Sequence, residues 1–222
     1  NYIGMLGIPV ELTPEFPYNS NTIFLAESAK FDNAILEKIK GQLSKGGNVI
    51  ITSGLLRALQ NRGFKDIVEI ECTDRKIAVK DYMLFMDHYK SDREIIIPEI
   101  RYFTNDSWEI VTGMNKVNGY PILLQARYGG GTLYVLAVPD NFSDLYALPQ
   151  EALSVIKQTF MRDFPVQLEA PSQICLFLYD NNTFIVKSFL PHSTRCSITI
   201  KKKDAKLRNL MPRTERYFRE EY

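Results

Sequence analysis

The side chains able to do chemistry in this chain are few and far apart. Histidine occurs twice, His88 within Met86-Asp87-His88-Tyr89 and His192 within Pro191-His192-Ser193. Each falls in an expected loop or turn, and neither has the partners at fixed spacing that a metal ligand or a general base requires. The three cysteines, Cys72, Cys175 and Cys196, show no Cys-x-x-Cys spacing, which argues against a thioredoxin-like redox site and against a structural zinc. Cys175 and Cys196 both fall in expected strands, so a disulfide between them in an oxidising compartment stays open. Gly129-Gly130-Gly131 lacks the Lys-Ser/Thr and the helix that follow the glycines of a phosphate loop, and reads as a hairpin turn. Asp180-Asn181-Asn182 supplies too few oxygens for calcium and also reads as a turn. Neither a metal nor a cofactor is expected.

What is left is positional. Glu27-Ser28, Thr52-Ser53-Gly54 and Asp140-Asn141 each follow the carboxyl end of an expected strand. In an open parallel sheet ligands bind beyond those ends, so the three groups form a candidate ligand-binding edge. Three uses of it are open. Ser53 and Gly54, at a helix start, would offer free N–H groups to an anion, as in a phosphate binder of flavodoxin type. Ser53 acting with Glu27 or Asp140 would give a hydrolase or amidotransferase-type enzyme, although without a histidine to take its proton the hydroxyl is a weak nucleophile at neutral pH. The third use is purely structural, with Ser53 an N-cap and Asp140-Asn141 a loop. No residue is assigned to catalysis.

These groups depend on a strand-helix alternation in the first third of the chain. Thr22-Ile23-Phe24-Leu25-Ala26 is a nearly continuous apolar run that suits a strand buried on both faces. Asp32 is placed to cap the next helix, with Phe31 stapling to Leu36 and with Ile35, Leu36, Ile39 and Leu43 on one stripe before Gly46-Gly47. Asn48-Val49-Ile50-Ile51-Thr52 is a second buried strand, after which Ser53 opens a short helix carrying Leu55, Leu56 and Leu59 up to Gly63. The alternation predicts an α/β architecture, a mainly parallel, doubly wound sheet with helices on both faces.

Upstream, Tyr2, Ile3, Met5 and Leu6 before Gly7 read as the last turn of a helix, and Ile8-Pro9-Val10-Glu11-Leu12 as the next strand. A helix showing only its final turn implies a strand and helix ahead of Asn1, which makes an upstream domain of the same polypeptide the first expected partner. The sheet edge left open by such a missing strand favours a homo-oligomer of the piece. From Ile67 to about Val138 the pattern turns to strands, at Ile67 to Ile70, Ile77 to Val79, Glu94 to Ile97, Trp108 to Val111, Pro121 to Ala126 and Thr132 to Val138. Leu153, Ile156 and Phe160 mark a helix opened by Pro149 and Glu151. After Phe164-Pro165 every expected element is a strand: Ile174 to Tyr179, Phe184 to Phe189 and Cys196 to Ile200. The chain therefore divides into an α/β domain over 1–165 and a small antiparallel β-domain over 166–222.

Composition narrows the partners. Of 222 residues, 27 are basic and 26 acidic, which leaves a formal charge of +1 and no global field for nucleic acid or an anionic membrane. Lys201-Lys202-Lys203 beside Asp204 reads as a solvated strand end rather than a nucleic-acid footprint. No apolar run approaches the roughly 20 residues of a membrane span.

The strand from Thr22, the Asp32 helix, the run Gly46-Gly47-Asn48-Val49-Ile50-Ile51-Thr52-Ser53-Gly54 and the late run Gly130-Gly131-Thr132-Leu133-Tyr134-Val135-Leu136 together resemble the class I glutamine amidotransferase-like fold. The version resembled is the non-catalytic one, as in the beta-galactosidase trimerisation domain of multi-domain glycoside hydrolases, and the likeness covers about Asn1 to Phe164. Active amidotransferases carry a nucleophilic cysteine at a strand-to-helix elbow and a His-x-Glu pair after a late strand. Here the elbow holds Thr52-Ser53-Gly54 and the late strand ends in Val138-Pro139-Asp140-Asn141, so the resemblance implies the fold and not its chemistry. Phe177, Tyr179, Phe184, Val186 and Ser188 around Asn181 resemble the short β-domain that ends such glycosidase-like proteins. The resemblance implies a non-catalytic ancillary or assembly module of a larger, carbohydrate-related protein, in an extracytoplasmic location, periplasmic or secreted.

Overall fold

The structure is a computed structural model and describes residues 2–201. Tyr2–Met5 forms a single helical turn, α1. Gly7 closes it with a φ of 86°, and a Cβ there would lie 2.6 Å from the Ile174 carbonyl oxygen, so only glycine fits. The next segment departs from expectation: among the described residues Ile8 to Leu12 forms no strand. The sequence alternates apolar residues here, yet Pro9 has no N–H to give to a ladder. β1 (Thr22–Leu25), α2 (Ile35–Ser44), β2 (Asn48–Thr52) and α3 (Ser53–Leu59) then follow in the expected order. The staple before α2 does not form, since Phe31 is 80% exposed. The Asp32 carboxylate instead accepts from the Ala34 N–H at 2.9 Å, just ahead of the helix.

The remaining strands overturn the expected sheet. β3 (Ile70–Leu84), β4 (Asp87–Tyr102), β5 (Ser107–Asn115), β6 (Asn118–Tyr128) and β7 (Gly131–Leu136) join β1 and β2 in one seven-stranded sheet of order β1-β2-β7-β6-β5-β3-β4. Only β1, β2 and β7 run parallel. Every pairing from β7 out to β4 is antiparallel. The fold is thus not a mainly parallel sheet with helices on both faces but a mixed sheet with small antiparallel sheets attached, 42% strand against 23% helix. The cause lies in three two-residue connections, Phe85-Met86, Lys116-Val117 and Gly129-Gly130, each entered by a residue with φ between 55° and 57°. A chain that returns through so short a turn can only pair antiparallel, whereas parallel neighbours need a crossover. His88 accordingly lies on β4 opposite Met83, not in a loop.

The sheet separates two apolar clusters. Val49, Ile50 and Ile51 are fully buried, with Val49 and Ile51 facing α2 and α3 through Ile39, Leu43, Leu55 and Leu56. Ile50 faces the other cluster, where α4 (Gln150–Phe160) presents Leu153, Ile156 and Phe160. The same cluster takes in β8 (Val166–Glu169) and β9 (Ile174–Leu178). β10 (Phe184–Ser188) pairs with β9, and β11 (Ser197–Ile200) with β8, a strand the sequence did not announce. Cys175 on β9 is buried and Cys196 before β11 is exposed; both are free, as is Cys72. Of the Lys201-Lys202-Lys203 run, the last two residues lie outside the described residues.

Candidate functional site

The carboxyl ends of β1, β2 and β7 gather part of the expected edge and tie it down. Thr52, not Ser53, is the N-cap of α3, its hydroxyl accepting from the Leu55 N–H at 3.2 Å. Ser53 is buried, and its Oγ accepts from the Val138 N–H at 3.0 Å, joining the end of β7 to the start of α3. Glu27 opens a 3-10 turn over Glu27–Phe31 and is paired with Lys30 at 2.7 Å. Its Oε2 lies 2.6 Å from where a Cβ of Gly54 would be, so a carboxylate already rests against the first turn of α3. A negative charge in that place repels a second anion. Ser28 is exposed in the same turn.

Asp140 and Asn141 go elsewhere. Asp140 is ion-paired with Lys76 of β3. Asn141 caps the 3-10 turn over Phe142–Ala147, accepting from the Ser143 N–H and Oγ and donating to Asp144. Neither histidine lines this edge: His88 is on β4 and His192 in the exposed loop before β11. Among the described residues there is no group of three or more His, Cys, Asp and Glu that could hold a metal ion. The edge therefore joins elements; it offers no aligned nucleophile and base.

Sequence reasoning missed two buried charged groups. Glu99 of β4, its side chain 5% exposed, accepts from the Thr73 hydroxyl at 2.7 Å and lies 3.1 Å from Arg101 and 3.4 Å from Arg75. Lys157 of α4 is fully buried and donates to the Ala170 carbonyl at 2.6 Å. Burial pushes its pKa down to about 8, while Cys175, Cys196 and Glu169 pull the other way.

A cleft lies beside β1. Half-open and of about 1080 Å³, it runs between residues 8–16 on one side and β1 on the other. Phe24, Ile50, Phe160 and Phe164 line it, and Ser28 and Thr52 reach it from the candidate edge. Asp140 and Asn141 do not. No helix of the described residues is long and apolar enough to cross a membrane.

Residues 1–141 match the family model described as "Uncharacterized protein SSO3021, second domain". Residues 165–220 match the one described as "Probable glycosyl hydrolase, C-terminal domain". No curated protein matches the chain in sequence. Among solved structures, a catalytic mutant of Gan42B, a GH42 beta-galactosidase from G. stearothermophilus, matches with a TM-score of 0.51 and 10% identity, over 79% of this chain and 27% of that one. A second Gan42B structure gives a TM-score of 0.50 with the same identity and coverage. The beta-galactosidase of Bacillus circulans sp. alkalophilus gives 0.45 and 12% identity, over 72% of this chain and 26% of that one. The chain thus spans about a quarter of the length of these galactosidases, and at such identity the likeness is one of fold. The matches do not confirm the amidotransferase-like fold that the resemblance implies, nor a likeness to flavodoxins.

Proposed function

Because this chain belongs to the family described as the second domain of the uncharacterized protein SSO3021, we propose that it is a non-catalytic accessory or assembly module of a larger, carbohydrate-related protein. The tandem order of the family matches carries this reading: a second domain over 1–141, then a C-terminal domain of probable glycosyl hydrolases over 165–220. In that order an upstream domain is the natural partner and the natural seat of any glycoside chemistry. The division into units of 1–165 and 166–222 belongs to the same proposal, and so does an extracytoplasmic location. The geometry of the edge supports the non-catalytic part. Ser53 is buried and spends an acceptor site on Val138, Glu27 is held by Lys30, and Asp140 is held by Lys76. A Ser53 hydrolase needs a proton acceptor on its hydroxyl, and a phosphate binder needs α3 free of the Glu27 carboxylate.

The test uses the purified 222-residue chain. It should release no phenol from aryl β-glycosides, form no ammonia from glutamine, and carry no adduct on Ser53 after treatment with a fluorophosphonate, read by peptide mass spectrometry. An adduct on Ser53, or turnover that disappears in Glu27→Gln or Asp140→Asn, overturns the proposal.

A further inference from the structure

The cleft beside β1 has no role in the reading so far. We infer that it is a slot for one apolar β-strand, supplied by the region that precedes this chain in the larger polypeptide and inserted between residues 8–12 and β1. The inference deepens the accessory-module reading and rests on it.

Among the described residues β1 is the outer strand on its side of the sheet and pairs with β2 alone. The Asn48 N–H donates to the Asn21 carbonyl at 2.7 Å, which sets the phase of the ladder. Parallel alternation then turns the backbone groups of Ile23 and Leu25 toward β2, and those of Thr22 and Phe24 outward to the cleft. Among the described residues no backbone hydrogen bond runs from residues 9–16 to β1. The opposite wall is residues 8–12, which form no strand and whose burial falls along the run, from Ile8 buried through Val10 half-buried to Leu12 86% exposed. The outer edge of β1 and residues 8–12 thus both line the cleft.

The cleft, about 1080 Å³, also reaches Phe31, Ile35, Val138 and Phe142, so it has room for a six-residue strand, which at 3.3 Å per residue, 4.8 Å to a neighbour and 10 Å between layers occupies roughly 950 Å³. Its walls are apolar above and below the sheet plane, with Phe24 and Phe160 on one face and Ile23 and Ile35 on the other. A strand between them is buried on both faces, so its residues must be apolar throughout. A second copy of this chain is a poor source. The other outer edge of the sheet, β4, carries Lys90, Asp92, Arg93 and Glu94, charges that the slot would have to bury. Tyr2 and Ile3 of α1 line the same cleft, so residues joined ahead of them lie within reach of it.

Residue-resolved amide hydrogen exchange on the 222-residue chain and on the natural polypeptide that contains it tests the slot. In the chain alone the Thr22 and Phe24 amides should exchange quickly while Ile23 and Leu25 stay protected. In the longer polypeptide Thr22 and Phe24 should slow by on the order of 100-fold. Unchanged exchange at those two amides, in a polypeptide that still hydrolyses glycosides, overturns the slot and leaves the accessory reading standing. Slowed exchange in a polypeptide with no glycosidase activity keeps the slot and overturns the carbohydrate reading. Protection that appears in the 222-residue chain as its own concentration rises assigns the slot to a second copy and overturns the inference.

Discussion

Replacing Lys157 by methionine should remove a pH dependence from the stability of this protein. The amine is fully buried among the residues that join α4 to β8 and β9, with the Ala170 carbonyl as its hydrogen-bond acceptor. Burial lowers its pKa from the ordinary lysine value of 10.5 to about 8. Below pH 8 the amine is charged both folded and unfolded, and the fold carries a desolvation penalty of about 3 kcal/mol. Between pH 8 and 10.5 the unfolded chain keeps a proton that the folded chain has released, so stability rises with pH through that window and levels off above it. Tyr82, raised to about 12 by burial, and Cys72, also raised by burial, act in the opposite sense above pH 9. Both are present in wild type and variant alike, so the difference between the two proteins reports the lysine together with Cys175, whose thiol pKa is raised by burial and lowered by the Lys157 charge. Lys157→Met keeps the apolar stem and leaves the Ala170 carbonyl unpaired, which costs about 1–3 kcal/mol at all pH values. Urea unfolding at intervals from pH 7 to pH 10.5 should show the stability of wild type gaining about 3 kcal/mol on that of Lys157→Met. A difference that stays flat across the range would refute the claim that a charge is buried at this position.

Three further outcomes follow from the packing. Ser53→Ala leaves the Val138 N–H without its acceptor and should cost about 1–3 kcal/mol in chemical denaturation; an unchanged midpoint would show that the β7-to-α3 link is not formed. Gly131→Ala places a Cβ 2.3 Å from the Gly47 carbonyl and 2.5 Å from that of Leu43, both backbone, and should cost more than about 3 kcal/mol. Gly54→Ala meets the Glu27 side chain, its carboxylate oxygen at 2.6 Å and its Cβ at 3.3 Å, rather than backbone of another element, and helix propensity returns up to about 1 kcal/mol, so it should cost less than Gly131→Ala; equal losses at the two glycines would contradict the geometry. Val49→Asp puts a carboxylate between two fully apolar layers and should cost about 3–5 kcal/mol; a soluble variant with unchanged melting would contradict the central position of β2.

The parallel third of the sheet was legible because its strands leave nearly unbroken apolar runs, as in Asn48 to Thr52, buried at every position, and in Thr22 to Leu25, where burial alternates. Of the antiparallel remainder, the Gly129-Gly130 hairpin was legible and the other pairings were not. The turns at Phe85-Met86 and Lys116-Val117 put side-chain-bearing residues at positive φ, where glycine or asparagine would have marked a hairpin. Ile8 to Leu12 shows the limit of periodicity: the alternation marks a strand, but only a neighbour makes one. The candidate edge was located and its roles were not. Thr52 and Ser53 are equivalent caps by residue type, and the choice between them rests on Val138, 85 positions away. Lys157 did leave a signal, since Leu153, Lys157 and Phe160 share a helix face with the core on it.

Aryl-glycoside turnover, measured in the same assay for the 222-residue chain and for the natural polypeptide that contains it, locates the catalysis. The expected result is turnover by the longer polypeptide, abolished by changing paired carboxylates in its upstream domain, with no turnover by the 222-residue chain at any pH. Turnover by the 222-residue chain alone, lost in Ser53→Ala or Glu27→Gln variants that remain folded, would place catalysis at the β1–β2 edge and contradict a non-catalytic module.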